Sequence, residues 1–392
     1  MKTLNRRRFL ELGSLGAALG SALPELAIGA PQRASSAATH EADDSVVRLN
    51  GDGLGLTPVQ YARLLARIAE EKDIVPDTYI LDGVVRELED QCARILGKER
   101  AVFMPTGTLA NHLAVRTLAG GPSRVIVQAE SHLYRDSGDC VQTLSNITLV
   151  PLAPDRAAFT ADEVQRLLDQ TRTGRVSQRV SVISLETPVR RKAGATFDSD
   201  EMRKVVELAR REGIRLHLDG ARLFLEAAYS GKTVADHAQP FDTVYVSLYK
   251  YFNAASGAIL AGPSAILDEM YHVRRMFGGG LYNAWPFAAV ALHYLTGFSD
   301  RFSRAIRISE ELISALRRQD AFTIERIPSG TNLFRLRVRG ADVAVFRKRL
   351  AGAGVLLPPP SSDGSFLIGV NETLNRTTGS ALVDAFGHAI AG

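Results

Sequence analysis

The stretch HLDGAR, residues 217–222, sets a carboxylate and a guanidinium three residues apart at the end of an apolar run. Asp219 there can face a protonated ring nitrogen, and Arg222 can grip a carboxylate with two parallel hydrogen bonds. The same side chains also read as charges on a solvated turn. Lys250 follows the apolar run TVYVSL, 31 residues beyond Asp219. A lysine at the mouth of a buried sheet can lose its charge by desolvation and act as an amine nucleophile; the plainer reading is an exposed strand-end charge. Gly107 and Thr108 in PTGTLAN stand where a turn opens a helix. Free N–H groups at such a start attract phosphate, although Gly-Thr is also an ordinary cap. His132 follows the run RVIVQA, where an imidazole can stack on a planar ring or simply sit as a surface group.

These positions require elements that end at one face. From about residue 76, short β-branched runs alternate with longer helical periods. VVRELEDQCARILGKE has the spacing of an amphipathic helix, SRVIVQAE, VSVISLE, IRLHLD and FDTVYVSLYK read as strands, and EMRKVVELARREG is a helix stopped by Gly213. Continuous apolar runs of this length indicate strands buried on both faces, hence an α/β domain with a mainly parallel sheet. Ligands of such sheets bind outside the carboxyl ends of the strands, where the candidate residues fall. The reading divides the chain into a large α/β domain over 45–294 and a smaller C-terminal α+β domain over 295–392. The latter begins with a long helix whose N-cap signature is Ser299/Asp300.

In order along the chain, these residues could be a phosphate turn, a stacking histidine, a ring-nitrogen partner, a carboxylate grip and an amine nucleophile. Pyridoxal 5'-phosphate enzymes need these parts. The sequence resembles the threonine aldolase and β-eliminating lyase family, which has the fold-type-I architecture of pyridoxal-phosphate transferases. The resemblance runs from about Arg48 onward through YILDGVVRELE, GKERAVFMPTGTLAN, SHLY, SLET, HLDGARLF, FDTVYVSLYK, the glycines at 278–280 and TNLF. It implies that Gly107 and Thr108 bind the cofactor phosphate, that His132 stacks on the ring and assists proton transfer, and that Asp219 pairs with the pyridine nitrogen. It further implies that Arg222 holds the substrate carboxylate and that Lys250 forms the aldimine with the cofactor. The implied activity is lyase cleavage of a β-hydroxy amino acid. The alternatives are an aminotransferase and a cofactor-binding protein with lost or altered catalysis.

The sequence departs from the family at the periphery of this site. Gly51 stands where the family has a substrate-binding serine, with Asp52 kept; Tyr249 replaces the serine before the lysine. Tyr282 stands for an arginine that reaches a neighbouring subunit's phosphate, and the second carboxylate-binding arginine falls at about Ser365 or Phe366. Glu186 is kept in LETPV. The basic run Arg190 to Lys192 is a candidate replacement for the missing arginine, or a solvated loop.

The N-terminus pairs a basic segment containing RRRFLE with a short apolar stretch, the pattern of a twin-arginine export signal over 1–30 followed by a linker over 31–44. Periplasmic or secreted location is expected, with no membrane span in the mature chain. The net charge of +4 is weak, and part of it lies in that segment, so nothing points to nucleic acid. Cys92 falls on an apolar helical stripe, and two cysteines make no disulfide framework; no metal-ligand spacing is present. A small amino-acid substrate and a homodimer or homotetramer are the expected partners.

Overall fold

The structure, a computed structural model, describes residues 45–391, so the expected export signal and linker lie outside the described residues. The described chain enters through a two-residue strand, β1 (Val47–Arg48), whose partner comes much later. The main sheet follows, built from β2 (Arg100–Met104), β3 (Arg124–Gln128), β4 (Thr148–Leu152), β5 (Val180–Glu186), β6 (Arg215–Asp219), β7 (Thr243–Ser247) and β8 (Ala258–Gly262). Their order is β2-β8-β7-β6-β5-β3-β4. The five strands from β7 to β4 pair in parallel, and β8 runs antiparallel to both β2 and β7. The apolar runs explain the arrangement. Leu216, Leu218, Val244 and Val246 are all buried, because helices cover both faces of these strands.

Those helices include α1 (Gly83–Leu96), α2 (Gly107–Ala119), α3 (His132–Arg135), α4 (Ser199–Arg211) and α5 (Trp285–Leu295). Cys92 lies on the buried stripe of α1 with Val85 and Leu88, as the helical spacing predicts, and both cysteines are free thiols. The remainder is α6 (Phe298–Leu316), α7 (Val343–Gly352) and α8 (Gly379–Ala391) around small sheets. β9 (Phe322–Arg326), β10 (Leu333–Val338) and β12 (Phe366–Gly369) form an antiparallel trio, while β11 (Val355–Leu356) pairs with β1. Among the described residues no helix is long and apolar enough to cross a membrane.

One expectation is corrected. The long helix does not start at Ser299/Asp300; Gly297, with φ +70, caps it and Phe298 is its first residue. Burial sets that start. Phe298 packs on Tyr251, Phe252 and Phe302 with ring centroids 5.3, 5.3 and 5.4 Å away, and leaving it out of the helix would strand an aromatic side chain. Asp300 sits instead in the first turn, where the helix dipole favours a carboxylate. This aromatic cluster lies directly beneath the segment carrying Lys250.

Asp77 is a second fixed point. Its buried carboxylate accepts from the N–H groups of Ile80, Ala284 and Trp285 at 2.8, 2.8 and 2.7 Å, holding the start of α5 against the 77–82 turn. Asp77→Ala strands three buried donors and should cost about 2–4 kcal/mol, read as a lower denaturation midpoint at unchanged slope. A loss under about 1 kcal/mol would show that water replaces the carboxylate.

Candidate active site

The site is assembled at the carboxyl ends of the parallel strands. Glu186 ends β5, Asp219 ends β6 and Tyr245 lies on β7, and the register pairs Glu186 with Asp219 and Asp219 with Tyr245. Three polar side chains therefore stand in one row across the sheet, at the roughly 4.8 Å spacing of adjacent strands. Glu186 is buried, and its carboxyl is held above the usual range first by that burial and then by the charge of Asp219.

Asp219 is fixed from behind. Its Oδ2 accepts from Asn111 Nδ2 at 2.6 Å and its Oδ1 from the Ala221 N–H at 3.2 Å. Asn111 Oδ1 lies 2.8 Å from His217 Nε2, and His217 Nδ1 lies 2.8 Å from Thr243 Oγ1. Because a carboxylate only accepts, Asn111 must donate to it. His217 Nε2 then donates to Asn111, and the Thr243 hydroxyl donates to Nδ1. Burial lowers His217 to about 4, which matches a neutral ring with one donor and one acceptor. Every member is buried and satisfied, so the carboxylate has one orientation.

Lys250 lies three residues beyond β7. Its pKa falls from 10.5 to about 8, first because it is desolvated and second because the Arg222 guanidinium is close. Its Nζ lies 4.9 Å from the centroid of the half-exposed Tyr249 ring. Arg222 presents Nε and Nη2 to Asp52 Oδ2 at 2.9 and 2.8 Å, so the loop that follows β1 already supplies a carboxylate partner. That loop passes Gly51, whose φ of +74 would strain any side-chain-bearing residue. His132 is the first residue of α3. Its backbone N–H donates to Glu186 Oε2 at 2.5 Å, and its ring is 3.8 Å from Asp136. Glu186 Oε1 accepts the Arg190 N–H at 3.0 Å, and the Arg190 guanidinium bonds Asp136 at 2.6 Å.

Asp219, Arg222, Lys250 and His132 line one cavity of about 200 Å³ with Arg190 and Tyr245. Gly107 and Thr108 do not line it. Thr106, rather than either of them, caps α2, accepting from the Leu109 N–H at 3.2 Å. Gly107 packs against the hydroxyl of Tyr245 so closely that a Cβ there would collide with it. The free N–H groups of the first helical turn thus stand beside a side chain that does line the cavity. An amine with depressed pKa, a fixed buried carboxylate, a helix start and a guanidinium suit a planar, phosphate-bearing aldehyde such as pyridoxal 5'-phosphate.

The residues behind this site escaped assignment from the sequence. Asn111 is one turn beyond Gly107 on the face of α2 toward the sheet, and His217 lies two residues before Asp219, on the same face of β6; either spacing was available as a signal. Asp52 and Glu186 stood out only as retained positions, and Asp136 carried no signal, because its partners come from residues 190 and 191.

Residues 71–338 match the family described as β-eliminating lyase. A probable low-specificity L-threonine aldolase of Schizosaccharomyces pombe is 27% identical over 306 residues, 77% of this chain and 78% of that one. A crystal structure from Exiguobacterium, assigned as an aromatic amino acid β-eliminating lyase/threonine aldolase, superposes with a TM-score of 0.73 at 25% identity, covering 89% of this chain and 98% of its own. One from Listeria monocytogenes, assigned as an L-allo-threonine aldolase, gives 0.72 at 25% identity over 90% and 99%.

Proposed function

Since the chain belongs to the β-eliminating lyase family, we propose that it is a pyridoxal-phosphate-dependent lyase cleaving a β-hydroxy amino acid to glycine and an aldehyde. The observation that carries this reading is the convergence of Lys250, Arg222 and the rigidly held Asp219 on one cavity. Bound there, the cofactor supplies an electron sink for charge developing at the substrate's Cα. Lys250 would be the attachment point, offering an amine that loses its proton near pH 8 rather than 10.5. Asp219 would accept a hydrogen bond from the protonated ring nitrogen and so favour its charged form. The start of α2 would hold the phosphate, and Arg222 would orient the substrate carboxylate by exchanging part of its pairing with Asp52. Glu186 fixes the start of α3 through the His132 N–H, and the His132 ring would stack on the cofactor ring and move a proton.

We further propose that the RRRFLE signal exports the folded, loaded protein, and that Tyr79, Leu81, Met276 and Tyr282, all exposed, belong to the face on which two copies pair. Exposed aromatic and apolar side chains of this kind favour association.

Two measurements test the proposal. Holoenzyme given a panel of β-hydroxy amino acids should release glycine; keto acid without glycine would mean transamination, and no product from any member would end the lyase reading. The second is a pH profile. Only the uncharged amine attacks, so lowering the Lys250 pKa to about 8 moves the onset of reactivity down from the usual 10.5. The rate of covalent cofactor incorporation into apoprotein should rise with pH and level off above about 8. A rate still climbing steeply at pH 10 contradicts the desolvated lysine.

A further inference from the structure

The 200 Å³ cavity opens into a second, larger space of about 960 Å³ that shares Arg190, Arg222, Tyr249 and Lys250 with it. Small-molecule sites span roughly 300–1,000 Å³, so this vestibule is ample for much more than a four-carbon amino acid. Its wall is low where Gly51 sits, since no atom lies within 4 Å of the position a side chain would take. Its charge is one-sided. Arg48, Arg190 and Arg222 face it, with Asp52 as the sole carboxylate among the lining residues. Asp52 is already engaged by Arg222.

Arg190 occupies the junction between the two spaces. Its backbone N–H is tied to Glu186, which fixes the base of the residue, while its side chain remains 49% exposed. Its guanidinium rests on Asp136, which also pairs with Arg191 at 3.1 Å. Asp136 is thus shared, and an incoming anion that takes over Arg190 leaves it with a cationic partner. Arg222 lies deeper, 16% exposed and held by Asp52. Two guanidinium groups at different depths suit two anionic groups on one ligand.

We propose that the vestibule selects amino-acid substrates whose side chain carries a second anionic group, and that Arg190 is the residue that reads it. This rests on the lyase reading for its chemistry but not for its binding. A substrate carboxylate at Arg222 points its side chain outward past Gly51, and the distal anion meets Arg190 at the junction. A charge-assisted pair of this kind is worth about tenfold to a hundredfold in affinity.

The test is calorimetric titration of full-length holoenzyme with L-alanine, L-aspartate, L-glutamate and O-phospho-L-serine. At least one acidic ligand should bind about tenfold or more tightly than alanine, and the carboxylate and phosphate arms identify which anion is preferred. The ratio of acidic to neutral affinity should collapse in Arg190→Met, invert in Arg190→Glu and largely survive in Arg190→Lys. A shared loss of affinity through disturbed packing cancels in this ratio. Equal affinities in the wild type, or a preference unmoved by Arg190→Met and Arg190→Glu, overturns the proposal. Glycine release from threonine is measured on the same preparation; its absence would count against the lyase reading while leaving the affinity ratio to decide the present one.

Discussion

Lys250→Ala should lower turnover by at least about a thousandfold and remove the visible absorbance band of the covalently attached cofactor. The residue is half-buried just beyond a strand end, and no other lysine lines either cavity to replace it. Folding should be unharmed, because the native environment already disfavours the lysine's charge, as the fall of its pKa to about 8 records. The thermal midpoint is therefore the control: it should stay within a few degrees of wild type. A variant that keeps the absorbance band would move the attachment point elsewhere. Full turnover in that variant would remove Lys250 from the chemistry altogether.

The second large effect is expected at Asp219. Asp219→Asn keeps the shape and removes the charge, so a ring nitrogen beside it loses the anion that favours its protonated form. Electrostatic groups placed at developing charge are typically worth about a hundredfold to a thousandfold, and the loss should appear in kcat more than in KM. Asp219→Ala adds a structural penalty. It leaves Asn111 Nδ2 without its acceptor in a buried site, and the orientation of His217 and Thr243 loses its reason. That unpaired group costs about 1–3 kcal/mol. The asparagine variant should therefore be catalytically poor yet nearly as stable as wild type, and the alanine variant poor in both respects. Equal turnover in the asparagine variant and the wild type would show that the carboxylate only braces Asn111.

How much of this was legible in the sequence varies with the length of the interaction. Strands β5, β6 and β7 announced themselves as mainly apolar runs, because both faces of a parallel strand are buried and few polar residues interrupt them. From there Asp219 and Lys250 were locatable, since strand ends are where such sheets place ligands. Groups that act through a partner distant in sequence were not. Asp52 meets Arg222 across 170 positions, and Asn111 meets Asp219 across 108. Neither pairing leaves a local period. The N-cap of α6 was misplaced for a related reason: a favourable Ser-Asp pair competed with a buried phenylalanine one residue earlier, and burial decided. Gly107 illustrates the reverse. Its place at the opening of a helix was visible, but the group that forbids a side chain there is the Tyr245 hydroxyl, on a strand more than a hundred residues away.

The loop that bears Asp52 is held by a residue near the other end of the chain. Asn371 Nδ2 donates toward the carbonyls of Arg48, Asn50 and Gly51 at 2.9, 3.2 and 3.2 Å, and the Gly369 N–H donates to Leu49 at 3.0 Å. The partner of Arg222 is therefore positioned by residues 369–371, which follow Arg222 itself in the chain. A chain stopped short of residue 371 would lack these hydrogen bonds, leaving the loop that pairs Arg222 with Asp52, and with it the rim of the pocket, unanchored.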